Sequence, residues 1–160
     1  MSFATWFSTH LSFLPPQLAV LLVSMVPLVE LRGGIPLARL LELPLSEALL
    51  FSVIGNIIPI PFILLFIRKI FDWMRPTRVF GGIVRKLEAR AMNKSDKIQK
   101  AEFWGLMCFV GIPLPGTGGW TGALIASLLK IDIKKASLAI LCGIALAATI
   151  MSLIAYGIFG

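Results

Sequence analysis

Two opposite charges stand two residues apart inside the apolar stretch VPLVELRGGIPLARLL, residues 26–41. They are Glu30 and Arg32, followed by Gly33, Gly34, Pro36 and a second base, Arg39. A charge at the centre of a bilayer costs about 2.5–3.5 kcal/mol on insertion scales, so such a pair demands a reason. Two readings are open. In one, Glu30 and Arg32 form an ion pair that locks a hairpin tip. In the other they face a polar cavity: Arg32 presents a planar fork suited to carboxylate or phosphate, and Glu30 exchanges a proton, because burial favours a neutral carboxyl while a nearby cation favours a charged one. A second stretch, GIPLPGTGGW at residues 111–120, carries no charge. It offers backbone groups at Pro115, Gly116, Gly118 and Gly119, and the hydroxyls of Thr117 and Thr121. If helices return from these two stretches at Ile35 and Trp120, two helix N-termini meet near the midplane. Their unpaired N–H groups then favour an anion. Asn56, followed by Pro59 and Pro61, is the remaining candidate, as a kink that exposes backbone to a cavity or as a packing kink alone. The expected substrate- or ion-binding set is thus Glu30, Arg32, Gly33, Gly34, Arg39, Asn56, Pro115, Gly116, Thr117, Gly118, Gly119 and Thr121.

Other chemistries lack their residues. His10 is the single histidine, and no nucleophile–histidine–acid set can be assembled around it, which disfavours a hydrolase. Cys108 and Cys142 lie alone in apolar runs without CxxC or Cys/His spacing, so they read as packing residues rather than a disulfide or metal site. No catalytic residue, metal or cofactor is expected. GTGGW has no strand before it and is no dinucleotide loop.

The elements that must hold these residues are membrane elements. The 160 residues are 58% hydrophobic and 14% charged, with a mean hydropathy of +0.91, well above the composition of soluble domains. Residues 45–67 and 136–159 are long enough to cross a bilayer, which takes about 20 residues. Residues 18–29 and 37–43, and 103–112 and 121–129, are each about half that length and are separated by Gly/Pro turn chemistry. The pattern predicts an all-α integral membrane fold: an inverted repeat of two halves, each a re-entrant helical hairpin plus one transmembrane helix. The first half-repeat covers 1–71 and the second 101–160. GGIPLA (33–38) pairs with GGWTGA (118–123), and LELPLSEALLFSVIG (41–55) with LKIDIKKASLAILCG (129–143), with a three-residue shift between the blocks. Such doubling is typical of transporters.

Charge orients the chain. Ten of the fifteen basic residues lie between Arg68 and Lys100, and Lys130, Lys134 and Lys135 follow the second hairpin, while the link after the first carries only acids. Basic loops stay in the cytoplasm, so the net charge of +7 reads as orientation and not as nucleic-acid binding. The connector 72–100 is expected in the cytoplasm, with Phe80, Ile83, Val84, Leu87 and Ala91 at helical spacing as a basic amphipathic helix on the inner leaflet; a solvated connector is the plainer reading. No basic region precedes the first apolar run, so no cleaved leader is expected. A competing topology makes each hairpin a full helix and places Glu30 and Arg32 at a turn in water. Segment length argues against it.

At PLVELRGGIPLA and FVGIPLPGTGGWTGALIASLLKID the chain resembles the bacterial small multi-drug export proteins, a distant branch of the DedA superfamily. The resemblance implies paired re-entrant hairpins, a place in the bacterial inner membrane, and transport that in some relatives concerns lipid phosphates such as the undecaprenyl carrier. It sets Glu30 on the acid of the first DedA hairpin. The arginines of the second DedA hairpin have no counterpart in residues 111–117, and Arg32 lies in the first hairpin instead. The expected function is transport of a small or amphiphilic solute with an anionic group, in some form proton-coupled. The alternatives are efflux of cationic drugs and a non-transport scaffold; a lipid-modifying enzyme is a weaker one. Expected partners are membrane lipids, a small-molecule or lipid substrate and a second copy of the chain, since two spans poorly shield two hairpins.

Overall fold

The structure, a computed structural model, describes residues 14–74, 76, 81–82, 85, 95–114 and 116–158. The lead-in with His10, most of the amphipathic segment 80–91, and Pro115 lie outside the described residues. Those described form an all-helical protein with no strand among them.

Helix α1, Pro16–Met25, opens on a proline in its first turn, where the missing N–H costs nothing. At ten residues it is about 15 Å long, half the hydrocarbon thickness. A turn at residues 26–29 leads into α2, Glu30–Leu40. Helix α3, Leu45–Ile57, and α4, Pro59–Met74, run on through Ile58, which keeps helical angles. Together they contain the first bilayer-length apolar stretch, Leu45–Ile67. Pro59 and Pro61 each remove one backbone donor from this rod. Helix α5, Ser95–Gly111, is followed by a loop whose described residues are 112–114 and 116–118, and by α6, Gly119–Leu128. Helix α7, Ile133–Ser152, is N-capped by Asp132, which accepts from the Lys134 and Lys135 amides at 3.0 and 3.2 Å. It passes into a π-helical end, Leu153–Ile158, and supplies the second long apolar stretch, Ile133–Gly157.

The first glycine pair does not make a turn. Gly33, Gly34 and Pro36 all lie inside α2, which begins at Glu30 and not at Ile35. The reversal falls four residues earlier, at 26–29, where Leu28 (φ 69°) and then Glu30 (φ 51°) take left-handed angles. The glycines answer packing instead. A Cβ on Gly33 would run into Val29, and one on Gly34 into Ser24, with the Ser52 hydroxyl 2.9 Å away.

The two halves share more than their order of elements. After α2, Leu41 N–H donates to Leu37 O (2.9 Å) and Leu43 N–H to Ala38 O (3.0 Å). After α6, Leu129 N–H donates to Ile125 O (2.9 Å) and Ile131 N–H to Ala126 O (3.0 Å). Glu42 (φ 58°) and Lys130 (φ 54°) are the left-handed residues of these matched C-caps. The same register carries back through the preceding helices. It sets Gly34 on Gly122, and each faces a residue of the helix before it and one of the helix after it: Ser24 and Ser52 for Gly34, Val110 and Ile140 for Gly122. Gly55 and Gly143 repeat the match, against Leu21 O and Ser24 in one half and Met107 O and Val110 in the other. The three-residue shift expected between the sequence blocks is therefore absent. Gly118 lines up with Glu30, not with Gly33.

In each half the three helices touch one another, α1, α2 and α3 in the first and α5, α6 and α7 in the second; α4 packs on α6, and α7 packs on α2 and α3. Lipid tails are as apolar as leucine, so close packing over small residues holds such helices together. The core fits this: Ala19, Ala38, Ala48, Ala123, Ala126, Ala136 and Ala139 are fully buried, whereas Leu18, Leu22, Phe62, Leu65, Phe66 and Leu138 face outward. One prediction arises from the caps. Left-handed angles cost a side chain about 1–2 kcal/mol that glycine avoids. Glu42→Gly should thus stabilise the chain by about 0.5–1 kcal/mol, read as a higher unfolding midpoint in detergent. A lower midpoint would mean that the Glu42 side chain, and not the turn geometry, matters there.

Candidate functional site

The candidate site is where the two tips meet. Glu30 is 2% exposed. Its carboxylate accepts the Gly119 N–H through Oε2 at 3.0 Å and the Trp120 N–H through Oε1 at 3.0 Å. These are first-turn amides of α6, which have no partner inside the helix. A carboxylate on them satisfies both donors and opposes the positive end of the helix dipole. Gly118 makes this approach possible. At φ 148° and ψ −174° it sits in a region nearly closed to other residues, and a Cβ there would strike the carboxylate.

Arg32 serves the other end of the same loop. Its Nη1 donates to Leu114 O at 3.1 Å; its Nη2 lies 3.2 Å from both Val110 O and Ile112 O and 2.9 Å from Thr117 Oγ1. The Thr117 hydroxyl in turn has Ile112 O and Leu114 O as acceptors, each at 2.9 Å. Val110 O belongs to the last turn of α5, whose carbonyls lack helical donors. A cation there complements the negative end of that helix. Two residues apart in sequence, the acid thus caps the start of α6 and the base the end of α5.

This corrects the ion-pair expectation. Among the described residues Glu30 and Arg32 make no direct salt bridge; each is spent on the opposite tip. It also corrects the picture of a vacant helix N-terminus: the chain's own carboxylate sits on α6.

Of the other residues expected at the site, Thr117, Gly118 and Gly119 are at the tip contact. Gly116 is exposed in the same loop at φ 79°. Thr121, half-buried in the first turn of α6, joins neither set of bonds. Gly33 and Gly34 pack inside the first half. Asn56 is 1% exposed, and its Oδ1 would lie 3.3 Å from a Cβ on Gly119, so it borders the tip without bonding to it. Arg39 lies apart from the tip contact. It stands at the far end of α2 with its guanidinium 5.6 Å from the Tyr156 ring centre, while the Tyr156 hydroxyl donates to Leu43 O at 2.9 Å. Nine residues of helix, about 13 Å, separate it from Glu30. Ser24 and Ser52, missed from sequence, are fully buried beside Gly34. For Ser52 the signal was available in the aligned blocks, which set it on Ile140; Ser24 takes the place of Val110 only in the packing around the paired glycines.

With both tips in view, the comparison with known families has a concrete meaning. The family described as "Putative small multi-drug export protein" matches residues 30–150. The chain belongs to this family. The matched segment opens on Glu30 and takes in Arg32, the whole second tip and most of α7. No curated protein matches, and no solved structure matches. Family membership and the two long apolar helices together mark a membrane protein, with transport as the activity in the family's name.

Proposed function

We propose that the chain is a membrane transporter for a small or amphiphilic solute bearing an anionic group, with the Glu30 contact as its gate. The observation that carries this reading is the carboxylate of one tip seated on two backbone N–H groups of the other. Two donors, each 3.0 Å from its own oxygen, suit a carboxylate or phosphate edge. Glu30 then holds the place of the solute. Ionised, it keeps the tips together; protonated, it loses the charge that binds it to the helix end, and an incoming anion takes the N–H groups. Arg32 supplies the matching positive charge two residues away.

The same proposal includes the membrane arrangement. Each half is a re-entrant hairpin and a spanning helix; the halves are inverted, so the tips meet from opposite leaflets. Three of the four arms support this, since α1, α2 and α6 are of ten or eleven residues; the fourth, α5, has 17, with its apolar part confined to Glu102–Gly111. The connector 72–100 and the link around Lys130 face the cytoplasm of a bacterial cell, and the link at Glu42 faces outward. A second copy covers part of the outward apolar surface. The chain carries no catalytic set and stands as a distant relative of the DedA proteins.

The test is purified protein in sealed vesicles, loaded with a polyprenyl phosphate, an anionic dye or a cationic dye across a pH gradient. Flux of the anionic probes is expected, with Glu30→Gln and Arg32→Ala each reducing it to background while both variants still insert. Cation flux that needs Glu30 but tolerates Arg32→Ala would replace the anion assignment with drug-cation efflux. Wild-type flux in Glu30→Gln would remove the gate.

A further inference from the structure

The repeat provides an internal comparison. In the second half, the junction of the three helices around Gly122 is filled by Val110 and Ile140, with Ile144 one turn further along α7. In the first half the same three places hold Ser24, Ser52 and Asn56. All three are buried, at 0, 0 and 1% exposed, and Ser24 Oγ, Ser52 Oγ and Asn56 Oδ1 have no hydrogen-bond partner. Packing does not require this, because apolar residues fill the matching junction. Buried polar atoms without partners are costly, and at the matching junction of the second half, filled by Val110, Ile140 and Ile144, that cost is avoided; the unpartnered Trp120 Nε1 and Ser127 Oγ of that half lie elsewhere on α6. The row also leads somewhere. Ser52 and Asn56 are one turn apart on one face of α3. Asn56 Oδ1 and the Glu30 carboxylate both border Gly119, the first 3.3 Å from where its Cβ would be, the second bonded to its N–H.

We propose that Ser24, Ser52 and Asn56 form a buried hydration site that delivers protons to Glu30. The inference rests on the proton-controlled gate proposed above and gives it a route. Each hydroxyl or bound water accepts a proton on its oxygen and releases another, and the last transfer forms an O–H bond on a Glu30 oxygen as a water O–H bond breaks. Protonation then weakens the acceptor that Gly119 and Trp120 share. The charged surroundings of Glu30 are simple. Arg32 is the near charge on its own helix, and Arg39 lies at that helix's far end; α1, α6 and the π-helical end carry none; α3 and α7 carry Glu47, Lys134 and Lys135 in their first turns, at their ends away from Glu30; among the described side chains of α4 and α5, Lys69, Asp72 and Glu102 stand two turns or more from Ile60 and Val110, which border the tips. Proton delivery thus depends on neutral hydroxyl and amide groups, which is what the row contains.

The experiment is infrared spectroscopy of the full chain in vesicles after a rapid drop in pH, following the carboxylic-acid band that Glu30→Gln removes. Ser24→Ala/Ser52→Ala should slow the rise of this band about tenfold, the effect of losing one hydrogen-bonding step, with its final amplitude unchanged. Asn56→Leu should do the same, and Ser52→Thr, which keeps the hydroxyl, should restore most of the rate. Hydrogen exchange of the helices verifies that each variant is folded, and the milder alanine pair is the variant that decides if the leucine one is not. An unchanged rate in the folded alanine pair would overturn the proposal and leave the row as packing. A rate that depends on sodium and not on the hydroxyls would overturn it in favour of a cation site. If the wild-type chain shows no Glu30 band at all, the gate itself fails, an outcome distinct from both.

Discussion

Glu30→Ala should destabilise the folded chain by about 2–4 kcal/mol, among the largest effects of any single substitution outside the glycines. The alanine leaves the Gly119 and Trp120 amides buried without an acceptor. It removes the negative charge at the start of α6 as well, a further loss of up to about 2 kcal/mol where burial is strong. The left-handed backbone at position 30 gives nothing back, since alanine pays the same penalty at φ 51°. Glu30→Gln is the informative partner. Its amide oxygen still accepts one N–H, so it should lose only about 1 kcal/mol of stability and yet lose transport. Unfolding in mixed micelles measures the first quantity and vesicle flux the second. Alanine and glutamine variants of equal, wild-type stability would mean that the carboxylate is not seated on α6.

Gly118→Ala should be at least as damaging, by about 3–4 kcal/mol, through two separate terms. One is backbone strain, about 1–3 kcal/mol for a side chain forced into a glycine-only region. The other is the collision of the new Cβ with the Glu30 carboxylate, whose carbon would lie 2.7 Å away. The two can be separated. Gly116→Ala, in the same loop at φ 79° with open space around it, carries strain alone and should cost about 1 kcal/mol. In the double variant Glu30→Ala/Gly118→Ala the collision is gone, so the two losses should fall short of their sum by about 1–2 kcal/mol. Strict additivity would show that Gly118 matters for its backbone angles only.

Both variants act on one contact, and that contact shows how far the sequence could be read. The long apolar stretches, the short arms and the doubled order of elements are written in composition and spacing, because helix length and lipid exposure are local properties. The matched C-caps at Glu42 and Lys130 lie in blocks that the sequence already aligns. The first tip was misplaced because GGIP carries the usual signs of a turn. Those signs are local too, and they were overridden by neighbours: Val29 against Gly33, and Ser24 and Ser52 against Gly34.

The amino-acid sequence by itself determined that this is an all-helical membrane chain with two long apolar helices, and that Glu30 and Arg32 are costly enough to need partners. Only the tertiary structure decided which partners. The acid reaches amides 89 and 90 residues along the chain, and the base reaches carbonyls 78 to 82 residues along. Helix ends expose the same backbone groups whatever their side chains. No residue type marks a helix terminus as the partner of a particular charge, so that pairing becomes visible only when the two tips are brought together.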